Sequence, residues 1–327
     1  MARTNDLLRT FFRTAAKSGW ADASANAATA CTGRSNMQVT LRLLLFKDLK
    51  MTVPTVATAN LRPLALSAGE DLWHGIWKWD LWGRLGWLEI RRRYKRTLIG
   101  PFWTSVSLFV FVVVLGTVGS GLLSKNTHEY LPFLASGMIV WVMMSSILTE
   151  SGSVFIAGAP LLRQKQFEYS LLVYALVWRN AIVFAHNMSI YAIIFLIFAP
   201  EKITFNIIIF AIPGMAFVLL NAIWITLLIG LITARFRDIQ QIIQTIVQIS
   251  MFVTPIFWHA DNLSGFRRII FVGFNPLYHL ISIVRDPLLG ETPRLNSWIA
   301  VAIITAAGWT VTYILYSKFR KRIPYWL

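Results

Sequence analysis

The chain has 327 residues, with 31 Lys or Arg against 15 Asp or Glu, a formal net charge of +16, and 14% charged beside 56% apolar residues. Soluble domains carry about 25% charged residues, so this chain cannot clothe a water-facing surface of its own size, which excludes an ordinary soluble enzyme and a disordered chain. Its cations sit in short clusters between long apolar runs, the pattern of membrane spans with basic cytoplasmic ends rather than of a nucleic-acid binder, and its single cysteine, Cys31, excludes an internal disulfide and a Cys-based metal centre.

The first fifty residues stand apart. They hold eight Lys or Arg and three Asp among many Ala, Ser and Thr. Arg3, Arg9 and Arg13 around Leu7, Leu8, Phe11 and Phe12 have the look of an organellar transit peptide. The plainer reading is an over-long translated start with Met51 as the real one. Residues 1–50 are therefore expected to be a disordered or mis-assigned extension, followed by a polar linker over 51–70. From Leu72 to Leu88 the apolar residues Trp73, Ile76, Trp77, Leu81, Leu85 and Leu88 recur every three or four positions, which is one helical face. With Lys78, Asp80 and Arg84 among them, the segment reads as an amphipathic interface helix. It occupies 71–101 together with the cationic turn that follows.

Six stretches are long and apolar enough to cross a bilayer, which takes about 20 residues. They cover about 102–123, 131–148, 181–199, 207–233, 239–258 and 298–316. Residues 267–289 are broken by Gly273 and by Asn275-Pro276, and each half is too short to cross, so they read as a re-entrant hairpin on the outer side. With the amino terminus inside, the inner segments after Trp82 hold fifteen Lys or Arg and the outer ones six, as the positive-inside rule requires. Both termini are then cytoplasmic. The fold class is an all-α integral membrane protein.

No catalytic, cofactor-binding or metal-ligating residue is expected. There is no G-x-x-x-x-G-K-[ST], no G-x-S-x-G and no H-E-x-x-H, and the five histidines lack ligand spacing. Active transport would need ATP and Mg on another chain.

Several motifs carry a resemblance. Arg93-Tyr94-Lys95-Arg96-Thr97-Leu98-Ile99-Gly100-Pro101-Phe102-Trp103 resembles the entry to the first span of ABC-2-type permeases that export polysaccharides. Trp178-Arg179-Asn180 with Phe184-Ala185-His186-Asn187 is similar to a third-span motif of the O-antigen and capsule exporters in that family. Arg235-Phe236-Arg237-Asp238-Ile239, Thr254-Pro255-Ile256-Phe257, Asn275-Pro276 and the terminal Ile323-Pro324-Tyr325-Trp326-Leu327 follow in the family's order, so the resemblance covers roughly 70–327. Thr97 stands where the family often has Ser, Glu168 follows Phe167 where a Pro is common, and residues 1–50 have no counterpart. The resemblance implies a homodimeric permease of the bacterial inner membrane, two copies of a cytoplasmic ABC ATPase, and a lipid-linked glycan of the O-antigen or capsule type as cargo.

Candidate functional residues follow from both lines. Arg91, Arg92, Arg93 and Arg96 either anchor the first span among lipid phosphates or guide a lipid-linked pyrophosphate, which Arg can grip with two hydrogen bonds. In the segment from Ser151 to Trp178, Arg163, Lys165, Phe167 and Glu168 are either a solvated loop or, as the family implies, a coupling element against the ATPase. Arg235, Arg237 and Asp238 make the turn between spans four and five, with a structural or a coupling role. Gln240, Gln244 and Gln248, spaced by four, form a polar stripe, widened by Gln241 and Thr245, that is either glue between helices or a sugar-compatible wall. Trp141, Phe252 and Tyr278 are aromatic candidates for the translocation path. Competing functions are export of a small amphiphile or drug, and a non-transporting membrane scaffold. A proton-coupled carrier is disfavoured, because the acids noted near the spans, Glu150 and Asp238, sit at span ends.

Overall fold

Ser67 opens the first helix by a reciprocal cap. Its hydroxyl accepts from the Glu70 amide at 3.2 Å, while the Glu70 carboxylate accepts from the Ser67 amide at 2.6 Å. The computed structural model describes residues 67–122, 126–162, 167–202 and 207–327, so the extension 1–50, nearly all of the linker 51–70, and Arg163 and Lys165 lie outside the described residues. Among the described residues there is no strand.

The amphipathic segment is two helices rather than one. α1 (Ala68–Trp77) and α2 (Trp79–Tyr94) are separated by a break at Lys78, and α2 runs six residues past the expected end at Leu88. The helical period is as read, but the face packed on the protein is the small and polar one. Asp71, Gly75, Gly86 and Ile90 are buried, whereas Trp73, Trp77, Trp79 and Trp87 are all more than half exposed. Glycine is needed where α2 touches its neighbour. A Cβ on Gly86 would lie 2.9 Å from the Ala175 carbonyl oxygen and 3.1 Å from the Trp178 ring, while one on Gly83 meets nothing within 4 Å. Gly86→Ala is therefore expected to lower thermal stability in detergent by about 1–3 kcal/mol through overpacking. Gly83→Ala is expected to be neutral or stabilising by up to about 1 kcal/mol. Equal melting temperatures for the two variants would refute this docking. A turn through Gly100, at φ +59°, then delivers the chain to Pro101 and the first long helix.

Five helices are long and apolar enough to cross a membrane: Phe102–Leu122, Thr127–Ser151, Tyr169–Phe198, Ile209–Arg235 and Leu295–Trp326. Within them, α3 (Phe102–Leu122) and α4 (Thr127–Ser151) follow the first two expected spans closely. α4 is the most buried of the five and forms the centre of the bundle. α5 (Val154–Leu162) is short. α6 (Tyr169–Phe198) begins twelve residues before the expected start at 181 and is about 45 Å long at 1.5 Å per residue. The segment from Ser151 to Trp178 is thus largely helical among its described residues rather than a loop, because Tyr169–Val177 is buried as an extension of the third long helix. A π-helical turn at Ile207–Ala211 leads into α7 (Ile212–Arg235). α8 (Ile239–Val253) corrects the expectation of a full-length helix over 239–258. It has 15 residues, about 22 Å against the roughly 30 Å of a hydrocarbon core, and ends before Thr254-Pro255.

The ends of the helices can be matched through contacts. α11 (Leu295–Phe319) runs parallel to α7, since Asn221 donates to the Thr305 hydroxyl at 2.8 Å and the Arg235 guanidinium lies 5.8 Å from the ring of Trp326, in α12 (Ile323–Trp326). Between 236 and 294 the chain must therefore pass from one end of the bundle to the other. α8 begins at the first end, where the Gln240 amide donates to the Thr149 carbonyl at 2.7 Å. Just beyond α8, the Phe257 carbonyl accepts from the Tyr130 hydroxyl at 2.8 Å, near the opposite end of α4. Residues 267–289 form α9 (Gly265–Arg268), a π-helical turn to Gly273, and α10 (Pro276–Leu288). Asn275 makes the bend by accepting from the Leu277 and Tyr278 amides at 3.0 and 3.2 Å. The first arm of this pair is exposed and the second is buried.

Candidate functional site

Three groups of side chains qualify, and they occupy different places. The first is a cluster of charges at the end of the bundle where α4 finishes. Arg93 of α2 donates to Glu150 at 2.5 Å, Arg179 of α6 donates to the other oxygen of Glu150 at 2.5 Å and also to Glu89, and the Asn180 amide adds a bond of 3.1 Å to Glu150. Arg91, Arg92 and Arg96 are exposed and unpaired among the described residues, so three of the four cations expected to meet phosphates face outward while Arg93 is engaged inside the chain. A second polar joint fixes α1. Asp71 is fully buried, its carboxylate accepts from the Tyr316 hydroxyl, and its carbonyl accepts from Ser170 at 2.8 Å. Burial pushes the Asp71 carboxyl above its ordinary range, with the Tyr316 hydrogen bond opposing.

The second group holds the residues read as coupling elements. Glu168 lies just before α6 with its side chain 7% exposed, and Lys78 donates to it at 2.5 Å. Its carboxylate therefore ties the break between α1 and α2 to the start of α6 and is not free to meet another protein. Phe167 is partly buried and packs on the core. Arg235, Arg237 and Asp238 are exposed at the turn between α7 and α8, with the Arg235 guanidinium also 5.6 Å from the Phe236 ring. Arg163 and Lys165 are outside the described residues.

The third group is α8, whose residues sort into three faces. Gln240, Ile243, Val247 and Met251 turn toward the chain, and of these Val247 alone is buried, at 8% exposure. Ile242, Ile246 and Ile249 make an exposed apolar face. Gln241, Gln244, Thr245 and Gln248 make an exposed polar face that ends in Phe252, itself 71% exposed. Of the stripe expected at 240, 244 and 248 and widened by 241 and 245, all but Gln240 lie on the open face, and Gln240 is fixed against α4 by its bond to Thr149. Of the other aromatic candidates, Trp141 is 3% exposed inside the core and lies on no open face, and Tyr278 is buried at the far end of the bundle beside Ala260 and Val272.

Sequence reasoning missed several of these groups. Arg179 counted as one more loop cation, although a lone Arg beside Asn180 at the edge of an apolar run is itself a signal of a buried pair. Arg285 counted as one of the six outer cations, yet its side chain and that of Asp286 are largely buried, and Arg285 donates to the Pro255 carbonyl at 2.7 Å.

The ABC-2 type transporter family pattern matches residues 81–289. Over 237 residues the chain is 22% identical to the O-antigen export system permease protein RfbA of Klebsiella pneumoniae, covering 71% of this chain and 88% of that protein. Over 236 residues it is 20% identical to the O-antigen export system permease protein RfbA of Myxococcus xanthus, covering 70% of this chain and 89% of that one.

Proposed function

The chain belongs to the ABC-2 type transporter family, and we propose that it is the permease subunit of an ATP-driven exporter that carries a lipid-linked polysaccharide, of the O-antigen or capsule type, across the bacterial inner membrane. The observation that carries this reading is the polar face of α8. Four uncharged hydrogen-bonding residues, Gln241, Gln244, Thr245 and Gln248, form it, and its own chain leaves it open. In lipid, such amides need partners, at a helix contact or in a wetted space. Two copies of the chain facing each other across α8 would line a hydrated path, with Phe252 offering a flat face to sugar rings. Amides exchange hydrogen bonds with hydroxyls without holding a sliding polymer by charge.

The same reading organises the rest of the molecule. The chain crosses six times, with 239–258 as a shortened fifth pass, and both termini are cytoplasmic. Arg235 and Arg237 then share the cytoplasmic side with Lys318, Arg320, Lys321 and Arg322. α1 and α2 lie in the inner interface with their tryptophans among lipid headgroups, and Arg91, Arg92 and Arg96 attract the lipid pyrophosphate. Residues 267–289 are the re-entrant hairpin of the outer side. Two copies of a cytoplasmic ATPase bind ATP and Mg and press on the segment around 163–166 and on the Arg237-Asp238 turn. The named relatives, both O-antigen export permeases, support the choice of cargo.

A strain lacking this chain is expected to lose surface polysaccharide and to accumulate the lipid-linked polymer inside, with recovery on re-expression. Normal surface polymer in that strain, alongside sensitivity to a small amphiphile, would replace the cargo in this reading.

A further inference from the structure

Between α9 with its π-helical turn, the start of α10 and the first turns of α11 lies a cavity of about 390 Å³. Small-ligand pockets span about 300–1,000 Å³, so it has room for a molecule the size of a lipid headgroup. Its charge is of one sign. Arg268 and Arg294 line it, and no carboxylate does. Both guanidiniums bond Asp261, which stands outside the lining, and both do so through Nη2, at 3.0 Å from Arg268 and 3.2 Å from Arg294. One carboxylate cannot neutralise two guanidiniums, so a positive charge is left over. A guanidinium carries five N–H donors, and here Nε and Nη1 of both have no hydrogen-bond partner among the described residues. The carboxylates of Glu129, Glu201, Asp286 and Glu291 line a different cavity, on the other side of Tyr278 and Arg294.

Two further sets of donors share this wall. α11 starts here, and its N-cap residue, Arg294, makes no side-chain cap bond. The Ser297 and Trp298 amides turn back to the Arg294 carbonyl, at 2.9 and 3.4 Å. The Leu295 and Asn296 amides are left without a hydrogen-bond partner among the described residues. Free amides at the positive end of a 25-residue helix favour an anion. Tyr278 supplies an independent donor. It is 4% exposed and lines the cavity, and its hydroxyl has no hydrogen-bond partner among the described residues. Burying a hydroxyl unpaired costs free energy, which an accepting ligand recovers. His279 braces the wall, its Nε2 donating to the Gly273 carbonyl at 2.9 Å and its Nδ1 lying 3.2 Å from the Ser297 hydroxyl. The surroundings are apolar. Ile269 lines the cavity and is 53% exposed, and Phe266, Phe274 and Leu295, one or two positions from lining residues, are each more than 70% exposed. Anion donors set in an apolar surface suit a molecule that carries both a phosphate and acyl chains.

We propose that this cavity binds the phosphate of a membrane phospholipid, with Arg268 and Arg294 as its charge partners and the Tyr278 hydroxyl and the first amides of α11 as its other donors. Bound there, the phosphate bridges α9 to α11, so the lipid fixes the exposed arm that α9 begins against the last long helix. The site rests on the export reading only for its side of the membrane, which that reading makes the outer leaflet.

The test is native mass spectrometry of the full chain in an uncharged detergent with three probes. Dioleoylphosphatidylglycerol has phosphate and chains, dioleoylglycerol the chains alone, and glycerol 3-phosphate the phosphate alone. The phospholipid is expected to bind the native chain at least about tenfold more tightly than either of the others. Arg268→Gln and Arg294→Gln should each weaken it by about tenfold, as the loss of a hydrogen bond to a charged group does, and Tyr278→Phe by about fivefold. Arg267→Gln, at an exposed cation outside the lining, should change nothing. The sharpest variant is Asp261→Asn. It releases both guanidiniums, so the phospholipid should bind about tenfold more tightly, whereas a merely disordered wall would bind it less. The Asp261 side chain is 63% exposed and its pairs are surface ones, so this variant should fold. Dioleoylglycerol binding as tightly as the phospholipid would overturn the phosphate site, and glycerol 3-phosphate doing so would overturn the lipid in favour of a free anion. Unchanged or weaker binding in Asp261→Asn, or equal losses in Arg267→Gln and Arg268→Gln, would overturn it as well. A deletion strain with normal surface polymer would instead remove the export reading and leave lipid binding by the purified chain as it stands.

Discussion

Replacing Gln244 and Gln248 by Leu is expected to cut polymer export by more than about tenfold, a rise of over ~1.4 kcal/mol in the transport barrier, with the amount and assembly of the permease unchanged. Leu keeps the size and helical propensity of Gln and removes only the amide. Both positions lie on the open polar face of α8, so neither change strips a bond from the chain itself. If the stripe were only glue between helices, the loss would be about 0.6 kcal/mol per hydrogen bond, visible as weaker dimerisation with export nearly normal. Gln240→Leu serves as the contrast. Its amide holds the Thr149 carbonyl, so its loss should lower stability before it touches export. Cysteine labelling gives an independent reading once Cys31 is replaced. Cysteines at 241, 244 and 248 should react with a water-soluble thiol reagent, and those at 242, 246 and 249 should not. Equal reaction of both sets would take α8 off the path.

The inward turn of Gln240 shows how far the sequence could be read. Spacing by four identified a polar face on this helix, and five of the six apolar runs correspond to helices long enough to cross a membrane. Which polar residue faces inward depends on packing against α4, and hydropathy carries no information about that contact. The boundary of α6 was lost for a related reason. Arg179 read as the end of an apolar run, while its partners Glu89 and Glu150 are 90 and 29 residues away in the chain. A charge cancelled by a distant partner looks like a loop when only its neighbours are counted. The shortening of α8 at Thr254-Pro255 was readable from proline alone, since the residue before proline is driven out of the helical region.

The helices α1 and α2 carry the opposite lesson. Their apolar period was plain, and a soluble-protein reading would bury that face. Here the tryptophans point away and Gly75 and Gly86 point inward, because close approach to α6 needs small residues. Glu168 falls into the same scheme. Beside Arg163 and Lys165 it looked like part of a docking surface, but Lys78 claims it from ninety residues away.

Glu150→Gln is expected to remove most of the folded protein. Glu150 ends the most buried helix of the bundle and neutralises Arg179, whose side chain is 12% exposed, as well as Arg93. A neutral amide leaves the Arg179 guanidinium with Glu89 alone, and breaking a buried pair by removing one partner costs about 3–5 kcal/mol. Total stabilities are about 5–15 kcal/mol, so such a loss should show as a collapse of the monodisperse peak in size-exclusion chromatography and a lower melting temperature. Arg93→Gln should be mild, within about 1 kcal/mol, because that side chain is half exposed and solvent screens its pair. The decisive variant is the double change Glu150→Leu with Arg179→Met. It replaces an ion pair by apolar groups of similar volume, which in other proteins is neutral or stabilising, and the released Glu89 is 41% exposed and can be hydrated. The double variant should therefore recover folded protein that Glu150→Gln alone has lost. If the double is as poor as the single, the two charges are held for more than each other, and the joint between α2, α4 and α6 depends on the carboxylate itself.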